Sequence, residues 1–299
     1  MCGICGFIGE KHAFLQIFKG LEQLQNRGYD SAGISVINQS EIKTHKYAST
    51  DTSSALVKLS EFQKVYEGSQ VGIGHTRWAT HGAKTDTNSH PHLSQDGLFS
   101  LVHNGIIENF QEIKVFLSEH NISLISQTDT EVIVNLIAYY FGECGDVIQA
   151  IKQSTEKLTG TWGIAVLYKN ESNKMYCTRH GSPLLVGVDG VNAMVTSEQS
   201  GFCNKFSKYI VLNNHDICVL TQNEETKQIE VATKHRYSAK IALNLNGELT
   251  PAPYPHWTIK EINEQIDSSL RAISLGGRLL SNNQVKLGGL YERHQELME

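Results

Sequence analysis

Cys2 follows Met1 directly in Met1-Cys2-Gly3-Ile4-Cys5-Gly6, so removing the initiator methionine leaves one residue carrying both a nucleophilic sulfur and a free α-amino group. A thiol near its ordinary pKa of about 8.5 is only partly ionised at neutral pH and needs a base. An α-amino group titrates near about 7.7–8.0 and, modestly desolvated, is neutral and able to take the thiol proton. No histidine is then required. The same cysteine also reads as a small buried side chain in a first strand, and the choice between the two readings turns on what else the chain carries.

Four further segments concentrate residues able to meet an amino-acid substrate. They are Arg27-Gly28-Tyr29-Asp30-Ser31 at a helix end, His75-Thr76-Arg77-Trp78-Ala79-Thr80-His81-Gly82 running off a strand into a loop, His103-Asn104-Gly105 at a strand end, and Thr128-Asp129-Thr130 opening a helix. Arg77 could hold an α-carboxylate bidentately and Asp129 could pair with an α-ammonium. The Asn104 side chain and the Gly105 N–H could form an oxyanion hole, and Trp78 could close over the site. Each also has an ordinary reading: Asp129 favours a first helical turn, Asn104-Gly105 suits a type I′ turn, and Arg27 can pair with Asp30 at the surface. His90-Pro91-His92 with Cys2 and Cys5 raises a metal site, but a lone C-x-x-C without a second pair is a weak signal, and no metal or other cofactor is expected. As a redox motif Cys2-Gly3-Ile4-Cys5 lacks the strand-then-helix setting, and Cys5 reads as core packing.

These residues must be positioned by the elements around them. Cys2 to Ile8 reads as a buried strand, and residues 13–26 place Phe14, Ile17, Phe18, Leu21 and Leu24 on one helical face, with Gly28 ending the helix. Ala32 to Ile37 and Ile42 to Tyr47 read as paired strands, residues 53–66 as an amphipathic helix and Val71 to Thr76 as another strand. The polar stretch from Trp78 to Gln95, broken by Gly82, Asn88 and Pro91, has the length of a lid or binding loop. Leu98 to His103 is strand-like and residues 108–119 are helical. Thr128-Asp129-Thr130-Glu131 is a capping box opening a helix with Val132, Ile133, Leu136, Ile137 and Tyr140 inward, and Asp146 starts a further helix to about Leu158. From Thr161 to Thr233 short β-rich runs follow one another with few strand–helix–strand alternations. That pattern predicts antiparallel sheet covered by helices, not a doubly wound parallel sheet. Pro251, Pro253 and Pro255, three of the chain's 5 prolines, mark a stiff linker, and a helix is expected from Ile259 to Leu275.

At 299 residues and 40% hydrophobic, the chain is long enough to bury a real core. Its 26 Lys and Arg against 31 Asp and Glu give a formal charge of −5 with no long basic run, so neither nucleic acid nor an anionic membrane is favoured as a partner. No apolar run approaches a membrane span, and the 6 cysteines are too sparse for a disulfide framework. A cytoplasmic protein acting on a small molecule is expected.

Taken together, Met1-Cys2-Gly3-Ile4, Asn26-Arg27-Gly28-Tyr29-Asp30-Ser31-Ala32-Gly33, Gly74-His75-Thr76-Arg77-Trp78-Ala79-Thr80-His81-Gly82, Asn88-Ser89-His90-Pro91-His92, His103-Asn104-Gly105-Ile106-Ile107-Glu108-Asn109 and Thr128-Asp129-Thr130-Glu131 resemble the class II glutamine amidotransferases. Arg-Trp-Ala-Thr-His-Gly and Arg-Gly-Tyr-Asp-Ser point to the branch found as the glutaminase half of glutamine–fructose-6-phosphate aminotransferases. The resemblance covers residues 2 to about 240. It implies an α+β, N-terminal-nucleophile hydrolase fold, a four-layer α/β/β/α sandwich of two antiparallel sheets between helices. It implies Cys2 as nucleophile with its own α-amino group as base, Asn104 and Gly105 as oxyanion hole, and Arg77, Thr80, His81 and Asp129 as glutamine-binding residues. Arg27 belongs to the same substrate set, and Trp78 is implied as the residue that shields the site.

The expected organisation is residues 1–245 as glutaminase domain, 246–257 as Pro-rich linker and 258–299 as a helical interdomain tail, without the isomerase domains that would bind fructose 6-phosphate. Those domains are then partners in cis or in trans, and a homo-oligomer is compatible. Two other readings stay open: a class II glutaminase serving another acceptor, and a non-catalytic module that senses glutamine.

Overall fold

The computed structural model describes residues 2–10, 12–25, 28–79, 82–242, 252–272, 279–281 and 284–285. It divides into two units, Met1–Gly247 and Glu248–Glu299.

In the first unit the chain begins with β1 (Gly3–Ile8), α1 (Ala13–Gln23), β2 (Ser31–Asn38), β3 (Glu41–Ala48), α2 (Ala55–Ser60) and β4 (Val71–Arg77). A two-residue β5 (His92–Leu93) precedes β6 (Phe99–Ile107), followed by three helices, α3 (Phe110–Glu119), α4 (Asp129–Cys144) and α5 (Val147–Lys157). The remainder is strands: β7 (Gly160–Tyr168), β8 (Lys174–His180), β9 (Leu185–Val188), β10 (Ala193–Thr196), β11 (Lys208–Val211), β12 (Ile217–Gln222), β13 (Ile229–Ala232) and β14 (Lys240–Ile241). Among the described residues one sheet has the order β14-β11-β9-β10-β1-β4-β2-β3 and the other β13-β12-β8-β7-β6-β5. Within this unit the pairings are antiparallel.

Three apolar clusters separate four layers. Ile4, Ile8, Val71, Ile73, Val102 and Ala165 fill the space between the sheets. On the far side of the first sheet, Cys5, Phe7, Ile34 and Val36 pack against Phe14, Ile17, Phe18 and Leu21 of α1. On the far side of the second, Phe99, Leu101 and Trp162 pack against Val132, Ile133, Leu136 and Ile137 of α4. Both faces of β1 are therefore covered, which explains why its sequence is apolar almost throughout instead of alternating.

The second unit holds α6 (Trp257–Ala272) and a short hairpin, β15 (Leu279–Ser281) with β16 (Gln284–Val285). Ile259, Ile262 and Ile266 of α6 are exposed. Pro251, Ile273 and Gly276-Gly277, part of the linker and tail expectations, lie outside the described residues.

Several expected elements differ in detail. The first helix stops at Gln23, short of the expected end at residue 26. The helix expected over 53–66 covers only Ala55–Ser60, because Phe62 and Gln63 turn back by short bonds to Leu59 and Ser60 carbonyls and tighten the chain into turns. Asn104-Gly105 is neither a turn nor a strand end: β6 continues to Ile107, with Asn104 opposite Gly163 and Gly105 opposite Trp162. Thr128 is the N-cap of α4 but makes no side-chain cap bond, so no capping box forms. Its hydroxyl instead meets His92 Nε2 at 3.0 Å, while the Glu131 carboxylate accepts the N–H groups of Ile125 at 2.9 Å and Ser126 at 2.6 Å.

Candidate active site

Strand alternation brings the central residues together. Side chains two apart on a strand share a face. Ile4 and Ile8 point between the sheets, so Cys2 extends that row, whereas Cys5 points to the helix side, where it is fully buried in the core. Val71 and Ile73 continue to His75 and Arg77, and Val102 continues to Asn104. The ends of β1, β4 and β6 therefore deliver Cys2, His75, Arg77 and Asn104 to one end of the inter-sheet layer.

Asn104 Nδ2 donates to the Cys2 carbonyl at 2.9 Å, and Asn104 Oδ1 faces His75 Nε2 at 3.0 Å. The Trp78 N–H donates to Cys2 Sγ at 3.3 Å. Asp129 Oδ2 accepts the Ile107 N–H at 2.9 Å, which ties the first residue of α4 to the strand carrying Asn104. His103 faces the helix side and meets Thr130 Oγ1 at 3.0 Å. Gly105 has φ +141°, and a Cβ there would collide with the Thr161 carbonyl, so this position accepts no side chain. Asp30 Oδ2 accepts the Ala79 N–H at 2.9 Å and holds the start of the loop, and the Trp78 ring meets Tyr29 edge-on at 5.6 Å.

Cys2, Arg77, Trp78, Gly105 and Asp129 line one cavity of about 20 Å³. That volume holds roughly one water. Burial pushes the Cys2 thiol pKa up, and the Trp78 N–H and the Arg77 charge oppose the rise. A thiol in this setting rests protonated at neutral pH and needs a base to attack. Burial also pulls the Arg77 guanidinium down, against the neighbouring Cys2, Asp129 and Asp30. His75 is driven down to about 3 by burial, and His90 and His92 also fall well below the ordinary imidazole range because they are buried. This histidine cluster is neutral at physiological pH.

Of the residues singled out in the sequence, Cys2, Arg77, Trp78, Asn104, Gly105 and Asp129 converge; Arg27, Thr80 and His81 lie outside the described residues. His75 stood inside the quoted motifs without a role, and Asp30 only as a surface partner for Arg27, whereas its carboxylate accepts the Ala79 N–H. The signal for His75 was available: it continues the inward row of Val71 and Ile73, and a polar group on a buried face must have a partner. Among the described residues no group of three His, Cys, Asp or Glu could hold a metal ion, and no helix is long and apolar enough to cross a membrane. A larger groove of about 970 Å³ lies beside α5, lined by Trp162, His180 and His215 among others. No cysteine or serine lines it, so size does not select it over the Cys2 cavity.

Two antiparallel sheets between helical layers, with a cysteine at the head of a central strand, define the N-terminal-nucleophile hydrolase type of fold. The chain belongs to the family described as glutamine amidotransferase domain, which matches residues 59–236. It is 36% identical to the glutamine–fructose-6-phosphate aminotransferase (isomerizing) of Caldanaerobacter subterraneus subsp. tengcongensis, over 99% of this chain and 48% of that protein. It is 39% identical to a probable enzyme of the same name from Acanthamoeba polyphaga mimivirus, over 89% of this chain and 44% of that protein. The chain thus spans about half the length of the curated relatives it matches. Among solved structures, the glutamine phosphoribosylpyrophosphate amidotransferase from B. subtilis superposes with a TM-score of 0.62 at 23% identity, over 80% of this chain and 50% of that one. At that identity the likeness shows the shared fold.

Proposed function

We propose that the chain is a cysteine glutaminase that hydrolyses L-glutamine to glutamate and ammonia through a γ-glutamyl thioester on Cys2. The observation that carries this reading is the Asn104 amide, 2.9 Å from the Cys2 carbonyl, beside a cavity that Cys2 shares with the opposite charges of Arg77 and Asp129. With Met1 removed, the α-amino group of Cys2 takes the thiol proton and Sγ attacks the side-chain amide carbon of glutamine. The second N–H of Asn104 Nδ2 and the Gly105 N–H stabilise the developing oxyanion. The α-ammonium returns its proton to the departing nitrogen, ammonia leaves, and water cleaves the thioester. Arg77 holds the substrate α-carboxylate and Asp129 its α-ammonium, with Thr80, His81 and Arg27 completing the substrate set. The 20 Å³ cavity is too small for a glutamine side chain, so entry requires the Trp78 segment to move, consistent with a shielding role for Trp78.

The ammonia is destined for fructose 6-phosphate, giving glucosamine 6-phosphate in isomerase domains supplied in cis or in trans. The Arg77–Gly82 and Arg27–Ser31 strings and the names of the curated relatives support this acceptor. In this reading residues 1–245 are the glutaminase domain, 246–257 a linker and 258–299 the tail toward the acceptor domains. The six free thiols fit a cytoplasmic protein. The test is glutamate and ammonia release by Cys2→Ala and Cys5→Ala proteins. Loss in the first with most activity kept in the second supports the reading, and equal loss in both overturns it.

A further inference from the structure

Asn104 sits between two groups that both constrain its amide. One end lies 2.9 Å from the Cys2 carbonyl, a pure acceptor, so that end must be the Nδ2 donor. The other end, Oδ1, then faces His75 Nε2 at 3.0 Å, and this nitrogen must carry a proton. No hydrogen bond of ordinary geometry reaches His75 Nδ1, although the ring also lies near the His103 backbone carbonyl, so it is the Asn104 Oδ1 partner that places the proton on Nε2. The ring is itself held: His75 is fully buried on β4, opposite Ile4 of β1, and stacks on His90 at 4.2 Å with 23° between planes.

We propose that His75 is a positioning residue for the oxyanion hole, its Nε2–H donated to Asn104 Oδ1 locking the carboxamide with Nδ2 turned toward Cys2 and the attacked carbonyl. This inference rests on the reading of Asn104 as an oxyanion donor. The terminal torsion of an asparagine is soft and roughly two-fold, so strand position alone does not choose which end of the amide faces the thiol. A flipped amide presents oxygen to the Cys2 carbonyl and to the developing oxyanion, converting a donor into a repulsive group. Losing one oxyanion donor costs on the order of 10²–10³ in kcat, and losing control of its orientation costs a part of that.

The experiment is a kinetic cycle on the full chain, counted per site titrated with a diazoketone glutamine analogue, using His75→Phe, His75→Gln, Asn104→Ala and His75→Phe/Asn104→Ala. His75→Phe is expected to lower kcat on the order of 10–100-fold with KM changed by no more than about threefold. His75→Gln, which restores an N–H near the Nε2 position, is expected to recover most of it. The double variant should be no slower than Asn104→Ala alone, since both changes remove the same donor. A kcat in His75→Phe equal to wild type with only a lowered melting temperature, or losses that multiply in the double variant, overturns the proposal. An impaired Asn104→Ala beside an unimpaired His75→Phe removes this inference alone, whereas an unimpaired Asn104→Ala removes the oxyanion reading with it. Should His75→Phe not fold, ¹⁵N spectra of histidine-labelled wild type decide the matter. The His75 signals should show a neutral ring protonated on Nε2, and protonation on Nδ1 overturns the proposal.

Discussion

The backbone N–H of Trp78 lies 3.3 Å from Cys2 Sγ, so a residue that lines the cavity contacts the thiol through its main chain. Movement of the loop and the state of the sulfur are thereby linked. Trp78, 46% exposed as a residue, rests its ring edge-on against Tyr29, itself 62% exposed, so few buried contacts oppose its displacement. Beneath them, Gly28 packs directly against the Arg77–Trp78 peptide.

That packing makes Gly28→Ala a sharp probe. A Cβ on Gly28 would sit 2.6 Å from the Arg77 carbonyl carbon and 2.7 Å from the Trp78 nitrogen, and backbone cannot yield as a flexible side chain does. The substitution is expected to destabilise the fold by about 1–3 kcal/mol. It should also lower kcat/KM more than tenfold by displacing the Trp78 N–H and the Arg77 guanidinium together. Melting temperature and steady-state kinetics measure both, and wild-type kcat/KM in the variant would contradict the coupling.

Asp129→Asn separates charge from structure, because an asparagine oxygen can still accept the Ile107 N–H that Asp129 Oδ2 accepts at 2.9 Å. The fold should survive while the partner of the substrate ammonium is lost. Removing one partner of a desolvated charge pair costs about 2–5 kcal/mol, so kcat/KM should fall by a factor of tens to thousands, chiefly through KM. Unchanged KM in Asp129→Asn would leave Asp129 as a structural tie between α4 and β6.

Much of the succession of strands and helices along the chain was legible because both faces of the central strands are buried and their runs are apolar, whereas the four layers followed from the family resemblance. Ala193–Thr196, buried along its whole length within the expected β-rich stretch from Thr161 to Thr233, is an example. What could not be read came from tertiary competition. Lys208–Val211 is a polar-starting strand toward the sheet edge, and Lys240–Ile241 exists only by pairing with it. Asn-Gly, locally a turn signal, is overridden by nine residues of ladder with β7, and the glycine is required because the Thr161 carbonyl occupies the place of a Cβ. Glu131 serves the preceding loop instead of the helix cap, a choice no local pattern encodes. In the site, Cys2, Arg77, Asn104 and Asp129 stood out by chemistry. For His75 the alternation marks an inward polar side chain that needs a partner, but that the partner is Asn104 becomes known only with the facing sheet.

The buried histidines make stability depend on pH in a definite direction. His75 is held at about 3 by burial, and His90 and His92 also fall well below the ordinary value, whereas all three titrate near 6.5 in an unfolded chain. Their folded-state values are depressed, so below 6.5 the unfolded chain binds more protons than the folded one. Their contribution is fully present above about pH 6.5 and is lost as pH falls below it, for His75 down toward about 3. Each fully titrating group gives a slope of roughly 1.4 kcal/mol per pH unit. Urea midpoints measured at pH 7, 6 and 5 should fall steadily, with proton uptake on unfolding at pH 5. A flat profile over that range would show that these rings are charged or solvated in the folded protein.

The nucleophile itself is open to the most direct measurement: incubation with a glutamine analogue bearing a diazoketone, followed by intact mass and peptide mapping. One adduct per chain is expected, on Cys2 of a chain lacking Met1, appearing in step with loss of glutaminase activity. An adduct on Cys5, Cys203 or another thiol, or complete labelling with activity retained, would contradict Cys2 as the catalytic group.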